Sequence, residues 1–229
     1  MTSTTTLARL NRGSLIRTIL VWLGWTTIAA VGVYFYRVAV GRYIHFDVTH
    51  YRHYWISRWW LEAHLGGGSL ALILGPFQFS TALRQRYIKV HRWIGRTYLS
   101  GVLIGSIAAV YMSFNVSPNK AFGVALLFLA LAWVTTSSMG LIAVLRRQFA
   151  AHREWMIRSY VVTFAFVSFR LLKDLNVFGR LDPESQSVMR GWVAWAVPLL
   201  LAEVILQWRR TIGPGRIPDR VLPKGVPRP

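Results

Sequence analysis

The sequence contains no cysteine among its 229 residues, which excludes disulfide bonds, iron–sulfur clusters and thiol catalysis. Acidic residues are also scarce, with eight Asp and Glu against 27 Lys and Arg, and the formal net charge is +19. Charged residues of both signs form only 15% of the chain, against roughly 25% in soluble proteins. No nucleophile elbow, phosphate loop or HExxH motif occurs. The chain therefore carries no standard motif of a soluble enzyme.

Long apolar runs are what the sequence does contain, with hydrophobic residues forming 54% of it. Six runs are each roughly 18 to 25 residues long, enough to cross a bilayer core of about 30 Å. They cover residues 15–37, 64–83, 93–113, 121–145, 155–173 and 191–208. We therefore predict an all-α membrane protein with six transmembrane helices over residues 15–208. Short connections predict a central antiparallel four-helix bundle made of spans two to five.

The segments outside the spans are polar, aromatic or basic. Residues 1–14 form a polar, Thr-rich tail, and residues 209–229 form a basic tail rich in Pro and Gly. Residues 41–63 carry seven Tyr, Trp and Phe side chains, and such a segment is expected at the level of the lipid headgroups. We predict cytoplasmic tails and an interfacial segment on the outer side.

The positive charge is distributed unevenly along the chain. Of the 27 Lys and Arg, 18 fall in the two tails, in the loops after spans two and four, or in the first turns of the spans beside them. The positive-inside rule then places both termini in the cytoplasm of a bacterial inner membrane. This distribution argues against nucleic acid as a partner and favours contact with anionic lipids.

Two histidines at span entrances suggest a cofactor site. His91 and His152 begin spans three and five, which are diagonal in the predicted bundle, so they reach the same membrane depth. A b-type haem needs two such imidazoles as axial ligands. An interfacial, hydrogen-bonded role explains each histidine singly. The neighbouring arginines could neutralise haem propionates, hold a lipid headgroup or phosphorylated ligand, or only anchor the protein: Arg92, Arg96, Arg153 and Arg158.

Small residues lie on the helical faces behind His64 and His91. At 3.6 residues per turn, Gly68, Ala71 and Gly75 follow His64, and Gly95 and Gly105 follow His91. Two interpretations stay open. One is close helix packing, and the other is a slot for a flat macrocycle or quinone ring.

Span five carries a polar stripe that runs from one boundary to the other. His152, Ser159, Thr163 and Arg170 share one face, which should point into the bundle rather than toward lipid. Arg170 is expected to pair with Glu62 or with Asp174 one turn further on, or to snorkel to the outer headgroups. The stripe could also form a pathway for protons or small solutes.

Histidines on the outer side offer a weaker possibility. His50, His53, His64 and Glu62 could supply nitrogen and oxygen ligands to zinc or copper. The His50-x-x-His53 spacing occurs on helices, but helical zinc pairs are more often four residues apart. The pattern therefore indicates a metal site only weakly.

The chain resembles domain-of-unknown-function family 2306, a set of predicted bacterial membrane proteins, over residues 60–172. The resemblance rests on His64 with Gly67 or Gly68, the run LGPFQF at 74–79, Arg84, HRWIGRTY at 91–98, HREWMIRSY at 152–160 and Arg170. It implies a multi-span membrane protein with no stated activity.

The diagonal histidine pair is also similar, more loosely, to cytochrome b561-type bundles with two haems. This chain departs from them because its histidines lie at span ends and span four has none. Our leading hypothesis is electron transfer to or from a quinone through one haem b on His91 and His152. The alternatives are a non-catalytic module that binds anionic lipid or a partner protein through the inner arginines, and the proton or solute pathway. Enzyme activity is left open.

Overall fold

A computed structural model describes residues 30–117 and 119–212, together with positions 19, 23, 24, 26 and 27. The predicted tail at 1–14, most of the first predicted span and the tail from residue 213 lie outside these residues, as do the side chains of Arg209 and Arg210. Within the described ranges the chain is all-helical and contains no strand.

The helices follow one another with short connections. Helix α1 includes residues 30–35 and continues as a π-helix, Tyr36–Val40. The connection that follows has 3-10 turns at Gly41–Tyr43 and Arg52–Ser57 on either side of the single-turn α2. The remaining bounds are α2 Val48–Tyr51, α3 Arg58–Gln78, α4 Thr81–Arg86, α5 Ile88–Asn115, α6 Lys120–Leu145, α7 Phe149–Thr163, α8 Ala165–Asp174 and α9 Pro183–Thr211.

Four of the described helical segments are long and apolar enough to cross a membrane. They are Ile88–Asn115, Lys120–Leu145, Phe149–Asp174 and Pro183–Trp208. They correspond to predicted spans three to six. Helix α3, which corresponds to predicted span two, is not among them, and Arg58, Glu62 and His64 in its first two turns lower its hydropathy. The prediction of a multi-span all-α membrane protein is therefore confirmed, whereas six spans are not shown.

Local signals explain where the helices begin and where one is interrupted. Asn119 caps α6 through its side chain, and Asp182 caps α9 with a proline in the first turn. Predicted span five is divided at Phe164 into α7 and α8. The Thr163 hydroxyl just before the break donates to the Ser159 carbonyl at 2.9 Å, and such back-bonding often bends a helix.

Neighbouring helices pack closely, and the closest of these contacts depends on glycine, which has no side chain. Helix α3 packs on α5, α5 on α6, and α6 on α7, while α9 contacts α6, α7 and α8. A Cβ on Gly67 would lie 2.5 Å from the Gly101 carbonyl oxygen and 2.7 Å from the Gly105 nitrogen. The α3 and α5 backbones therefore touch at this point, as small-residue packing requires.

Replacing Gly67 by Ala should destabilise the protein by at least about 1 kcal/mol, because backbone atoms cannot move aside as a flexible side chain can. Gly66→Ala is the matched control, since its Cβ would meet nothing within 4 Å. That control should leave stability unchanged or raise it through helix propensity. Melting of the detergent-solubilised variants, followed by tryptophan fluorescence, gives the comparison. Equal melting temperatures would contradict the close contact.

The middle of the helix assembly contains a network of buried hydroxyls. The Ser159 hydroxyl lies 2.7 Å from those of Tyr98 and Ser137, and Tyr98 lies 3.0 Å from Thr163. The Trp133 indole donates to Thr163 at 2.8 Å. The predicted polar stripe of span five therefore does face the interior. Its hydroxyls bond to one another across three helices, α5, α6 and α7.

Candidate functional site

His91 and His152 lie at the same end of the helices, which we call the basic end. The Nδ1 atom of His152 donates to the Gly140 carbonyl at 2.8 Å, when it carries the proton. This leaves Nε2 as the acceptor nitrogen, the arrangement found in metal-ligating histidines. The Nδ1 atom of His91 is buried and has no hydrogen-bond partner, and the two imidazoles are close enough to interact electrostatically. Both histidines therefore lie at one end of the helices, on α5 and α7, and their joint use by a cofactor stays a prediction.

The space beside these histidines is filled by side chains. A Cβ on Gly95 would meet the Gln78 amide oxygen at 3.2 Å, and one on Gly140 would meet the Met156 sulfur at 3.0 Å. Gly68 faces the Phe166 ring in the same way. Of the two interpretations of the small residues, the packing one fits these contacts. At the basic end, a flat ring would enter only if the Gln78 and Met156 side chains moved.

The four arginines beside the histidines divide into two groups. Arg92, Arg96 and Arg153 are exposed, but Arg158 is only 8% exposed and turns inward. Its guanidinium donates to Glu203 on α9 at 2.6 to 2.7 Å and stacks over Trp155. Arg158 is therefore already neutralised by a carboxylate. Sequence reasoning missed this pair because 45 residues separate its members.

The basic end also carries a dense surface of cations. We define the basic rim as its eight exposed Lys and Arg side chains: Arg84, Arg86, Lys89, Arg92, Arg96, Arg146, Arg147 and Arg153. None of them forms an ion pair with another residue that the structure describes. Tyr87, Trp93 and Phe149 lie among them, each at least 60% exposed. Exposed aromatic rings beside cations are typical of the membrane interface.

The predicted outer metal ligands do not converge. His50 Nδ1 lies 2.6 Å from Asp47, His53 packs on the Tyr54 ring, and His64 Nδ1 pairs with the Gly105 carbonyl at 3.0 Å. No group of three or more metal-ligating side chains occurs among the residues described. The structure therefore does not bring His50, His53, His64 and Glu62 together into one group in this part of the chain. Each of these side chains has a different local partner.

Asp47 illustrates how local bonding occupies these groups. Hydrogen bonds from the Thr49 hydroxyl and from the backbone of His50 lower the pKa of this carboxyl to about 2. Asp47 also caps α2 through the same backbone bond. The backbone and the ring of His50 thus both contact the Asp47 carboxylate that caps α2.

The predicted pair between Arg170 and Glu62 is not formed among the described residues. Glu62 instead accepts a hydrogen bond from the Tyr51 hydroxyl, whose pKa is raised mainly by burial and also by this carboxylate. Arg170 lies apart from Glu62 and, with His64, lines a cavity at the end of the helices opposite the basic rim. Tyr54 lines the same cavity as Arg170. Burial raises the pKa of Tyr54, and the charge of Arg170 acts in the opposite direction.

Comparison with known proteins settles the family. A family model described as predicted membrane protein (DUF2306) matches residues 61–206, more than half of the chain. The chain belongs to the DUF2306 family. The match includes His64, His91, His152, Arg158 and Arg170, so the resemblance predicted from these motifs is confirmed. No curated protein and no solved structure matches the chain.

Proposed function

We propose that this DUF2306 protein is a non-catalytic membrane module whose basic rim binds the headgroups of anionic lipids. One observation carries the proposal, namely that the eight exposed cations of the rim pair with no carboxylate in the described ranges. Each Lys or Arg near an anionic surface gains about 1 kcal/mol. The interfacial aromatic residues hold the rim at headgroup depth.

The topology that accompanies this proposal has six spans. The first predicted span and α3 join the four apolar helices, and α3 crosses the bilayer with its polar first turns at the outer headgroups. The basic rim then faces the cytoplasm of a bacterial cell, as do both tails. The leaflet that carries more anionic lipid is thereby the one in contact with the rim.

Removing two rim charges should weaken the response to anionic lipid. In Arg92→Gln/Arg153→Gln, the gain in melting temperature on adding phosphatidylglycerol should fall by about a quarter or more, because two of eight cations are lost. The matched control is Lys120→Gln/Arg180→Gln, which removes two exposed charges at the opposite end. An equal loss in both double variants would mean that total charge, and not the rim, sets the response.

A bis-imidazole haem at His91 and His152 is the second candidate, and the Nδ1 bond from His152 to Gly140 favours it. The donor chemistry fits, since both histidines lie at one end with a nitrogen available. Arg92, Arg96 and Arg153 are exposed beside them and would hold the propionates. A bound haem would supply one-electron transfer. The packing of Gln78 and Met156 around the site ranks this candidate second.

The visible spectrum of the purified protein decides this second candidate. A Soret band that is lost in His91→Ala and in His152→Ala, but kept in His45→Ala, would support it. His45 is an exposed histidine far from the pair in sequence. A colourless wild-type protein that takes up no added haemin would remove it. The hydroxyls of the stripe bond to one another, and no hydrogen bond among the residues described extends this chain to His152 or Arg170.

A further inference from the structure

The cavity that Arg170 lines, the Arg170 cavity, lies at the end opposite the basic rim. It has a volume of about 180 Å³ and is bounded by α3, α5, α6, α7, α8 and α9 together with the aromatic segment before α3. Pockets for drug-sized molecules are larger, about 300–1,000 Å³. The space therefore suits a ring-sized group and not a whole lipid.

Arg170 supplies a cationic donor to this cavity. Its guanidinium makes no hydrogen bond and no ion pair within 4.0 Å to any residue that the structure describes. A half-buried arginine among apolar walls is costly unless an oxygen acceptor pairs with it. An acceptor oxygen of a ligand in the cavity would supply such a partner.

His64 supplies the complementary acceptor. Its Nδ1 is engaged with the Gly105 carbonyl at 3.0 Å, so Nε2 carries the lone pair of the neutral ring. The imidazole lies 4.9 Å from the Phe166 ring, which fixes its position in the wall. An acceptor nitrogen of His64 and the donating guanidinium of Arg170 therefore line the same cavity.

The walls of the cavity are aromatic and apolar. Tyr54, Phe122, Trp133, Phe166 and Phe169 all line it. The Trp133 indole N–H is already bonded to Thr163, so this residue offers the cavity only its ring. Flat aromatic walls favour a flat ligand, because offset stacking adds to apolar burial.

We propose that the Arg170 cavity binds a planar ring with carbonyl or hydroxyl oxygens, of the quinone class, whose apolar tail extends into the lipid. Arg170 donates to the oxygen of the oxidised ring, and His64 Nε2 accepts from the hydroxyl of the reduced ring. The walls stack on its faces. The cavity shares no residue with the basic rim, so a failure of the proposed lipid binding would not affect this proposal.

Binding of decylubiquinone to the detergent-solubilised full chain, measured by calorimetry, tests the proposal. Wild type should bind one ring per chain. Arg170→Gln should weaken binding about tenfold or more, because one charge-assisted hydrogen bond is lost. The matched control Arg180→Gln removes an exposed arginine just beyond α8 and should bind as wild type does.

A second variant tests the binding site without removing a charge. Ala109 lines the cavity, so Ala109→Leu should fill part of it and weaken binding by a similar factor with both polar groups intact. Melting curves confirm that each variant is folded. Unchanged affinity in both variants would overturn the site. If palmitate binds as tightly as the quinone or displaces it, the ligand is a carboxylate and not a planar ring, which would contradict the proposal.

Discussion

Glu203→Gln should lower the free energy of unfolding by about 3 kcal/mol, the largest loss that we expect from a single substitution. The change strands the charge of Arg158, whose side chain is only 10% exposed, and breaking such a pair typically costs about 3–5 kcal/mol. The lower end applies because Glu203 is 40% exposed and Glu154 lies 3.8 Å from the same guanidinium. Titration of the micellar protein with a denaturing detergent gives the free energy.

Two further variants make this prediction specific. Glu184→Gln removes the same charge from the exposed first turn of α9 and should cost less than about 1 kcal/mol. Arg158→Met/Glu203→Leu should recover much of the loss, because apolar residues of similar volume often replace a buried ion pair without cost. If Glu203→Gln behaves as Glu184→Gln does, the pair contributes little to stability.

Thr163→Val should cost about 2 kcal/mol although it preserves the shape of the side chain. The substitution removes the acceptor of the Trp133 indole at 2.8 Å and one partner of the Tyr98 hydroxyl. Both donors are buried, so no water replaces the lost oxygen. The average interhelical hydrogen bond in a membrane contributes less, about 0.6 kcal/mol. The larger value is expected because one hydroxyl serves two donors from two other helices.

Thr136→Val is the matched control for this second prediction. Thr136 is also buried, but its hydroxyl bonds only to carbonyls of its own helix, at Ala132 and Trp133. Its removal strands no donor and should change stability by less than about 0.5 kcal/mol. Melting followed by tryptophan fluorescence compares the two variants. Equal losses would show that the network adds nothing beyond packing.

Much of the fold could be predicted from apolar length. Predicted span four, residues 121–145, agrees with Lys120–Leu145, because an uninterrupted apolar run follows a capping Asn. Predicted span six began at residue 191, whereas α9 begins at Pro183. The Asp182-Pro183 pair marks that start, but the helix extends beyond the hydrocarbon core and so beyond the hydropathy signal.

The break after Thr163 could not be predicted in the same way. No Pro or Gly lies near Phe164, the residue between the end of α7 and the start of α8. The Thr163 hydroxyl bonds back to its own helix and to a tryptophan on another helix. Interactions of this kind depend on tertiary packing and leave no local pattern in the sequence.

The residues of the candidate site could be predicted from the sequence, but the contacts between their side chains could not. The sequence places His91 and His152 at one level, because spans three and five run in the same direction and so begin at the same boundary. It leaves Arg158 to a ligand or to membrane anchoring, and Arg170 to Glu62, Asp174 or the headgroups, since spacing alone does not reveal side-chain direction. The structure pairs Arg158 with Glu203 and Glu62 with Tyr51. Both partners come from segments that the spacing argument did not connect.

Melting the wild-type protein in nanodiscs of defined lipid shows whether the basic rim binds anionic headgroups. The melting temperature should be higher in phosphatidylglycerol or cardiolipin than in phosphatidylcholine. This difference should shrink as salt rises toward 1 M, where the screening length falls to about 3 Å. Equal melting temperatures in neutral and anionic nanodiscs at low salt would contradict the account.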